Sequence, residues 1–217
     1  MLNKWILVLL AVATMPAYLM AQQDPQARRI LDEVSARYAQ ASSFRASLSQ
    51  SLSNSTEGLN EVVSGSIVVQ GNKYVIRMPG QEVANDGEKV YVYLAEVDEI
   101  TIDYYYPEEG ETAPSTIFDL YKTGYKYQYV GTESIQGAAC HVIDLVPERA
   151  DTQFYRIRLF IRGNDYALVR YEMYDRANTR YTYEFTNLQF NIPVQDAEFV
   201  FDATSHPGAD VVDLTEG

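Results

Sequence analysis

Phe154-Tyr155-Arg156-Ile157-Arg158-Leu159-Phe160-Ile161-Arg162 is the stretch whose reading decides the fold class. Along an extended chain, Tyr155, Ile157, Leu159 and Ile161 share one face and Arg156, Arg158 and Arg162 the other, so a strand with one dry side is predicted. The same period of two sets Tyr74, Ile76 and Met78 against Val75 and Arg77, and Ile100, Ile102 and Tyr104 against Thr101 and Asp103. Phe44, Ala46, Leu48 and Leu52 alternate likewise with Arg45, Ser47, Ser49 and Ser51. Strands are predicted over 44–53, 61–70, 73–78, 81–85, 89–94, 99–106, 125–131, 139–146, 154–162, 166–175 and 179–190. Gly71-Asn72, Pro79-Gly80, Asp86-Gly87, Gly163-Asn164-Asp165 and Ala177-Asn178 supply turns between them. About eleven strands in one series of hairpins make a meander that curls into a barrel or part of one.

The exceptions to this period are few. Asp24-Pro25 reads as a helix start, the carboxylate capping free amides and the proline sitting where its missing N–H costs nothing. Ile30, Leu31, Val34 and Tyr38 then recur at three- and four-residue steps, one apolar stripe on a helix running to about Ala41. Residues 107–114 read as an acidic loop with Glu108, Glu109 and Glu111, residues 114–121 as a short helix, and 194–198 as a further short turn. The expected fold class is mostly β (α+β): an incomplete antiparallel barrel whose concave apolar face is covered by one long helix and one or two short ones. Such a sheet offers more inner surface than those helices can cover, which leaves room for a cavity and an apolar guest.

Composition narrows the function. The chain of 217 residues is 47% apolar and holds 18 Tyr against 8 Phe and one Trp, a bias toward strands and wet-edged apolar surfaces. With 17 Lys and Arg against 30 Asp and Glu, its formal charge of -13 repels phosphate backbones and anionic headgroups, which argues against nucleic-acid binding. Lys4 followed by the apolar run from Trp5 to Met15 has the shape of a signal peptide, too short to span a bilayer. Residues 1–21 are read as that peptide, cut after Ala21, and 22–217 as a single half-barrel domain. Gln22, not Cys, follows the cut, so a soluble exported protein without a lipid anchor is expected in the periplasm.

Catalytic chemistry finds little support. His141 and Cys140 are adjacent on a predicted strand and point to opposite faces, so they cannot chelate or form a nucleophilic pair together. The pairs Asp98-Glu99 and Glu108-Glu109 are neighbours in turns, unlike the facing carboxyls of a glycosidase. No His-Glu-x-x-His, Gly-x-Ser-x-Gly or Walker loop occurs. No catalytic residue, metal or cofactor is expected.

Three further stretches carry a resemblance: 41–50 (Ala-Ser-Ser-Phe-Arg-Ala-Ser-Leu-Ser-Gln), 65–69 (Gly-Ser-Ile-Val-Val) and 85–93 (Asn-Asp-Gly-Glu-Lys-Val-Tyr-Val-Tyr). With 196–201 (Asp-Ala-Glu-Phe-Val-Phe) and 207–213 (Pro-Gly-Ala-Asp-Val-Val-Asp) near the end, they resemble the periplasmic outer-membrane lipoprotein carrier family, LolA-like, over almost all of the exported chain. The resemblance implies a half-barrel that takes lipoprotein acyl chains from an inner-membrane ABC lipoprotein-releasing transporter and carries them across the periplasm. An outer-membrane acceptor stays open. A monomer is expected. By position Tyr74 and Ile76 correspond to the family's apolar lining strand. Where many members have an arginine that bonds to the helical cover, this chain has Gln70, and a neutral amide cannot supply that charged fork. Arg77 has the parity of the outer face.

The residues expected to contact acyl chains are Tyr74, Ile76, Met78, Tyr91, Tyr93, Ile102, Phe118, Leu159 and Ile161, with Tyr91 and Tyr93 chosen over Val90 and Val92. Two alternatives stand beside a carrier: a lipoprotein- or lipid-sensing regulatory module on the same scaffold, and an envelope structural protein with a filled interior.

Overall fold

The computed structural model describes residues 23–106 and 117–215. The signal-peptide reading of 1–21 and the acidic loop of 107–114 lie outside them. Asp24 opens the helix α1 (Pro25–Gln40): its Oδ1 accepts from the amides of Gln26 at 2.8 Å and Ala27 at 3.2 Å, and Pro25 occupies the first turn. The stripe buries Ala27, Ile30, Leu31 and Val34. Asp24 does more than cap, because its other oxygen, Oδ2, accepts from the amide of Tyr129 at 3.0 Å and pins the helix start to a strand. That backbone bond, with those from Ala27 and Gln26, holds the Asp24 carboxyl below the usual range despite the opposing effect of burial.

A lowered folded-state pKa means a stabilising contribution that is complete above the unfolded value of about 3.9 and lost as pH falls through the folded one. Loss of the cap and of the bond to Tyr129 by Asp24→Ala is expected to cost about 2 kcal/mol at pH 7, and the urea midpoints of wild type and variant should converge as pH falls below the ordinary carboxylate range. Equal midpoints at pH 7 would refute this role for the carboxylate.

Among the described residues twelve strands follow: β1 (Phe44–Asn54), β2 (Leu59–Gln70), β3 (Lys73–Met78), β4 (Gln81–Asn85), β5 (Lys89–Leu94), β6 (Glu99–Tyr104), β7 (Tyr125–Ile135), β8 (Ala138–Pro147), β9 (Phe154–Arg162), β10 (Leu168–Asp175), β11 (Arg180–Phe190) and β12 (Asp210–Asp213). They form one open sheet, an incomplete barrel, in the order β12-β6-β5-β4-β3-β2-β1-β11-β10-β9-β8-β7. The expected single run of hairpins is corrected in two respects. Two meanders, β1 to β6 and β7 to β11, are joined by the pairing of β1 with β11, so that β7 becomes an edge. The twelfth strand, β12, pairs parallel to β6 and forms the other edge. It gave no sequence signal because Val211 and Val212 are adjacent and both exposed, which leaves no period of two.

Bulges bend the ribbon. The β1/β11 register shifts between Arg45 and Ser47, where Asn187 on β11 takes φ 52°, and the β9/β10 register shifts between Leu168 and Arg170. The face under α1, here the inner face, holds the main core: Phe44, Ala46 and Leu48 of β1, Ile143 and Leu145 of β8, Ile157, Leu159 and Ile161 of β9 and Leu168 of β10 pack with the helix stripe. Tyr155, expected on this dry face, is 41% exposed at the strand end.

The outer face is wet only in part. Arg158 forks onto Asp144 at 2.6 and 2.9 Å and Arg170 onto Glu184 at 3.1 and 2.8 Å. Between such pairs, Phe160 packs with Ile135, Cys140, Val142 and Val169. Further along, Val68, Val75 and Ala84 are covered by Phe199 from the short helical turn Asp196–Phe199, with Val194 and Phe201 beside it.

Candidate functional site

The inner face is not filled. A cavity of about 340 Å³ lies against β1–β4, β10 and β11. Its floor is Phe44 and Leu48 of β1, Ile67 of β2, Tyr74, Ile76 and Met78 of β3 and Val83 of β4. Tyr171 and Met173 of β10 and Tyr183 and Phe185 of β11 form one side, Ile117 and Phe118 roof it, and Gln50 and Gln81 are its only amides among the described residues. Strand register explains this set. Ile67 pairs with Ile76 and Ile76 with Val83, while Leu48 pairs with Phe185 and Gln50 with Tyr183, so these side chains stand on one face in successive rungs.

The roof is tied to α1. The expected helix over 114–121 is, in its described part, a turn at 117–119 followed by a 3-10 turn at Leu120–Lys122. The Tyr38 ring stacks on Phe118 with centroids 3.4 Å apart, and Phe44 meets Phe118 edge-on at 6.0 Å. Ser35 Oγ donates to Asp119 at 2.7 Å and Tyr121 Oη to Asp32 at 2.6 Å. Tyr38 Oη accepts from the amide of Leu168 at 3.2 Å, so one tyrosine of α1 touches both roof and sheet. Gln70 ends β2 opposite Lys73, with the parity of the outer face. The following Gly71-Asn72 turn lines a smaller cavity of about 210 Å³ with Ser35, Tyr38, Phe118 and Asp119. Among the described residues, the hydrogen bonds and the stacked ring that hold the roof come from the helix, with Phe44 of β1 beside them, and none of them involves Gln70.

Burial raises the phenol pKa of both Tyr171 and Tyr183, whose rings stack with centroids 4.6 Å apart, so these cavity hydroxyls stay protonated. Cys140 and His141 do face opposite ways. Cys140 sits in the outer cluster, where burial pushes its thiol up, and His141 lies under α1 with Nδ1 at 3.3 Å from Tyr129 Oη.

Of the nine residues picked from the sequence, Tyr74, Ile76, Met78 and Phe118 line the cavity. Leu159 and Ile161 belong to the inner core but pack outside the cavity lining. Tyr91, Tyr93 and Ile102 are corrected to the outer face: Tyr91 stacks on Phe201 at 5.6 Å, Tyr93 on His206 at 3.6 Å, and Ile102 is paired with Tyr91. Val92, paired with the cavity residue Val83, has the inner parity instead. Two tyrosines on a strand suit either face, and the C-terminal aromatics Phe201 and His206 decide the choice by covering them. Tyr171, Met173, Tyr183 and Phe185 are lining residues that the sequence reading misses, although Tyr181-Thr182-Tyr183-Glu184-Phe185 alternates plainly. Their place opposite β3 depends on the β1/β11 pairing, which joins strands far apart in sequence.

A family model described as an uncharacterized protein matches residues 118–200. An outer-membrane lipoprotein carrier protein of Methylobacillus flagellatus is 24% identical over 211 residues, covering 94% of this chain and 98% of the relative. Among solved structures, an uncharacterized conserved protein from Thermus thermophilus superposes with a TM-score of 0.59 at 13% identity, over 87% of this chain and 99% of its own. Lipoprotein LppX of Mycobacterium tuberculosis does so with a TM-score of 0.51 at 16% identity, over 79% of this chain and 98% of its own. Along nearly its whole length, the chain is thus similar to an outer-membrane lipoprotein carrier protein.

Proposed function

We propose that the protein is a non-enzymatic periplasmic chaperone that takes lipoprotein acyl chains into the inner-face cavity and carries them from an inner-membrane ABC transporter toward the outer membrane. The observation that supports this most is the vacant apolar space of about 340 Å³ between sheet and roof. That volume is near the lower end of ligand cavities, about 300–1,000 Å³, so a bulky acylated N-terminus has to displace the roof. The energies permit it. The Ser35–Asp119 and Tyr121–Asp32 hydrogen bonds and the Tyr38–Phe118 stack contribute roughly 1 kcal/mol each. Burying a methylene returns about 0.8 kcal/mol, so about four methylenes offset the whole latch and a longer tail leaves a surplus.

The test is titration of the exported protein with a palmitoylated lipopeptide and with the same peptide unacylated. Saturable binding of the first alone is expected, and no saturable binding of the acylated form would overturn the reading. Direction of transport is read separately, from depletion of the protein in its host: lipoproteins should accumulate in the inner membrane, and an unchanged distribution would refute the carrier role.

A further inference from the structure

Polar groups are not spread evenly over the cavity. Phe44, Tyr74 and Phe118 are buried at one end, whereas Gln50, Met78 and Gln81 at the other are only partly buried, and Val63, paired with Gln50, is 38% exposed. The register fixes this polarity. Phe44 pairs with Val69 and Val69 with Tyr74 on the closed rung. Met78 pairs with Gln81, and Gln50 lies one inward rung beyond Leu48. Gln50 Nε2 donates to Tyr183 Oη at 3.3 Å, which leaves its second N–H and the Tyr183 hydroxyl proton able to donate elsewhere. The Gln81 amide makes no hydrogen bond to a described residue. None of the described lining residues carries a charge, and the next inward position past the mouth is Glu61, paired with Leu52.

We infer that Gln50, Gln81 and Tyr183 form a neutral polar mouth that recognises the ester or amide carbonyls joining acyl chains to an uncharged linkage, and that selects against tails ending in an anion. The inference rests on the acyl-chain reading above and adds to it the chemistry of the headgroup. Tails run from the mouth toward Phe44 and Tyr74, and the carbonyls at the mouth accept from the two amides and the phenol. A carboxylate or phosphate at the same place loses part of its hydration, meets no cation among the described lining residues, and faces Glu61.

Dioctanoylglycerol and dioctanoyl phosphatidic acid share their tails and differ in charge, so competition of each against a fluorescent acyl-ester probe on the full exported chain isolates the mouth. Wild type is expected to prefer the glycerol diester by about tenfold, and Gln50→Leu and Gln81→Leu to lose about fivefold each in affinity for it. Gln81→Lys should move the preference toward phosphatidic acid. Circular dichroism and thermal melting establish that each variant is folded. Equal affinity for the two lipids in wild type, or an unchanged affinity for the glycerol diester in the double leucine variant, would overturn the inference while the carrier reading stands. Failure of either lipid to displace the probe, with no binding of the acylated peptide, defeats both.

Discussion

Gly65→Ala is expected to destabilise the protein by about 3 kcal/mol or more, seen as a large fall in urea midpoint, although it adds one methyl group. A Cβ built on Gly65 would lie 2.0 Å from the carbonyl oxygen of Arg77, 2.9 Å from its carbonyl carbon and 2.9 Å from Met78 Cγ. The first two atoms are backbone of the neighbouring strand, held in a ladder that pairs Ser66 with Arg77 and Ile67 with Ile76. Relief therefore requires β2 and β3 to separate and not merely a rotamer change. Because β3 supplies Tyr74, Ile76 and Met78, the same substitution should distort the cavity in whatever fraction remains folded. An unchanged midpoint would show that the two strands are less closely apposed than the structure has them.

The second large effect is on binding. Ile76 stands on the cavity floor between Ile67 and Val83 and is only partly buried, so the fold should survive its replacement. Ile76→Asp puts a charge where acyl methylenes are proposed to lie, on a side chain too short to reach the mouth. Loss of acylated-peptide affinity by at least about a hundredfold is expected, since leaving a carboxylate unpaired against hydrocarbon costs several kcal/mol. Ile76→Leu should stay within about threefold of wild type, as a swap that keeps volume and polarity. Val92→Asp on β5, beyond β4, and Tyr91→Asp on the outer face of the same strand make the matching comparison: only the former lies on the inner side. Equal binding by Ile76→Asp and wild type would place the acyl chains elsewhere.

Individual residues show how far periodicity reached. Tyr74, Ile76 and Met78 were legible because their alternate neighbours, Val75 and Arg77, left a choice between an aromatic or aliphatic row and one containing a charge. Tyr91 and Tyr93 against Val90 and Val92 offered no such contrast. Both rows are apolar, and the one covered by Phe201 and His206 became the outer. Phe160 met a similar fate, buried against Cys140 and Val142 on the face marked as wet by its arginine neighbours.

Local sequence by itself determined the elements: where Asp24-Pro25 starts a helix and where turns interrupt a period-two chain. Those properties depend on backbone chemistry and on neighbours within a few residues. Tertiary structure alone decided that β11 lies beside β1, that β12 pairs with β6, that the C-terminal aromatics cover the outer side of β5, and that α1 holds the roof through Ser35, Asp32 and Tyr38. Each of these joins segments far apart along the chain, and a hydrophobic face records only that it must be covered, not by which segment.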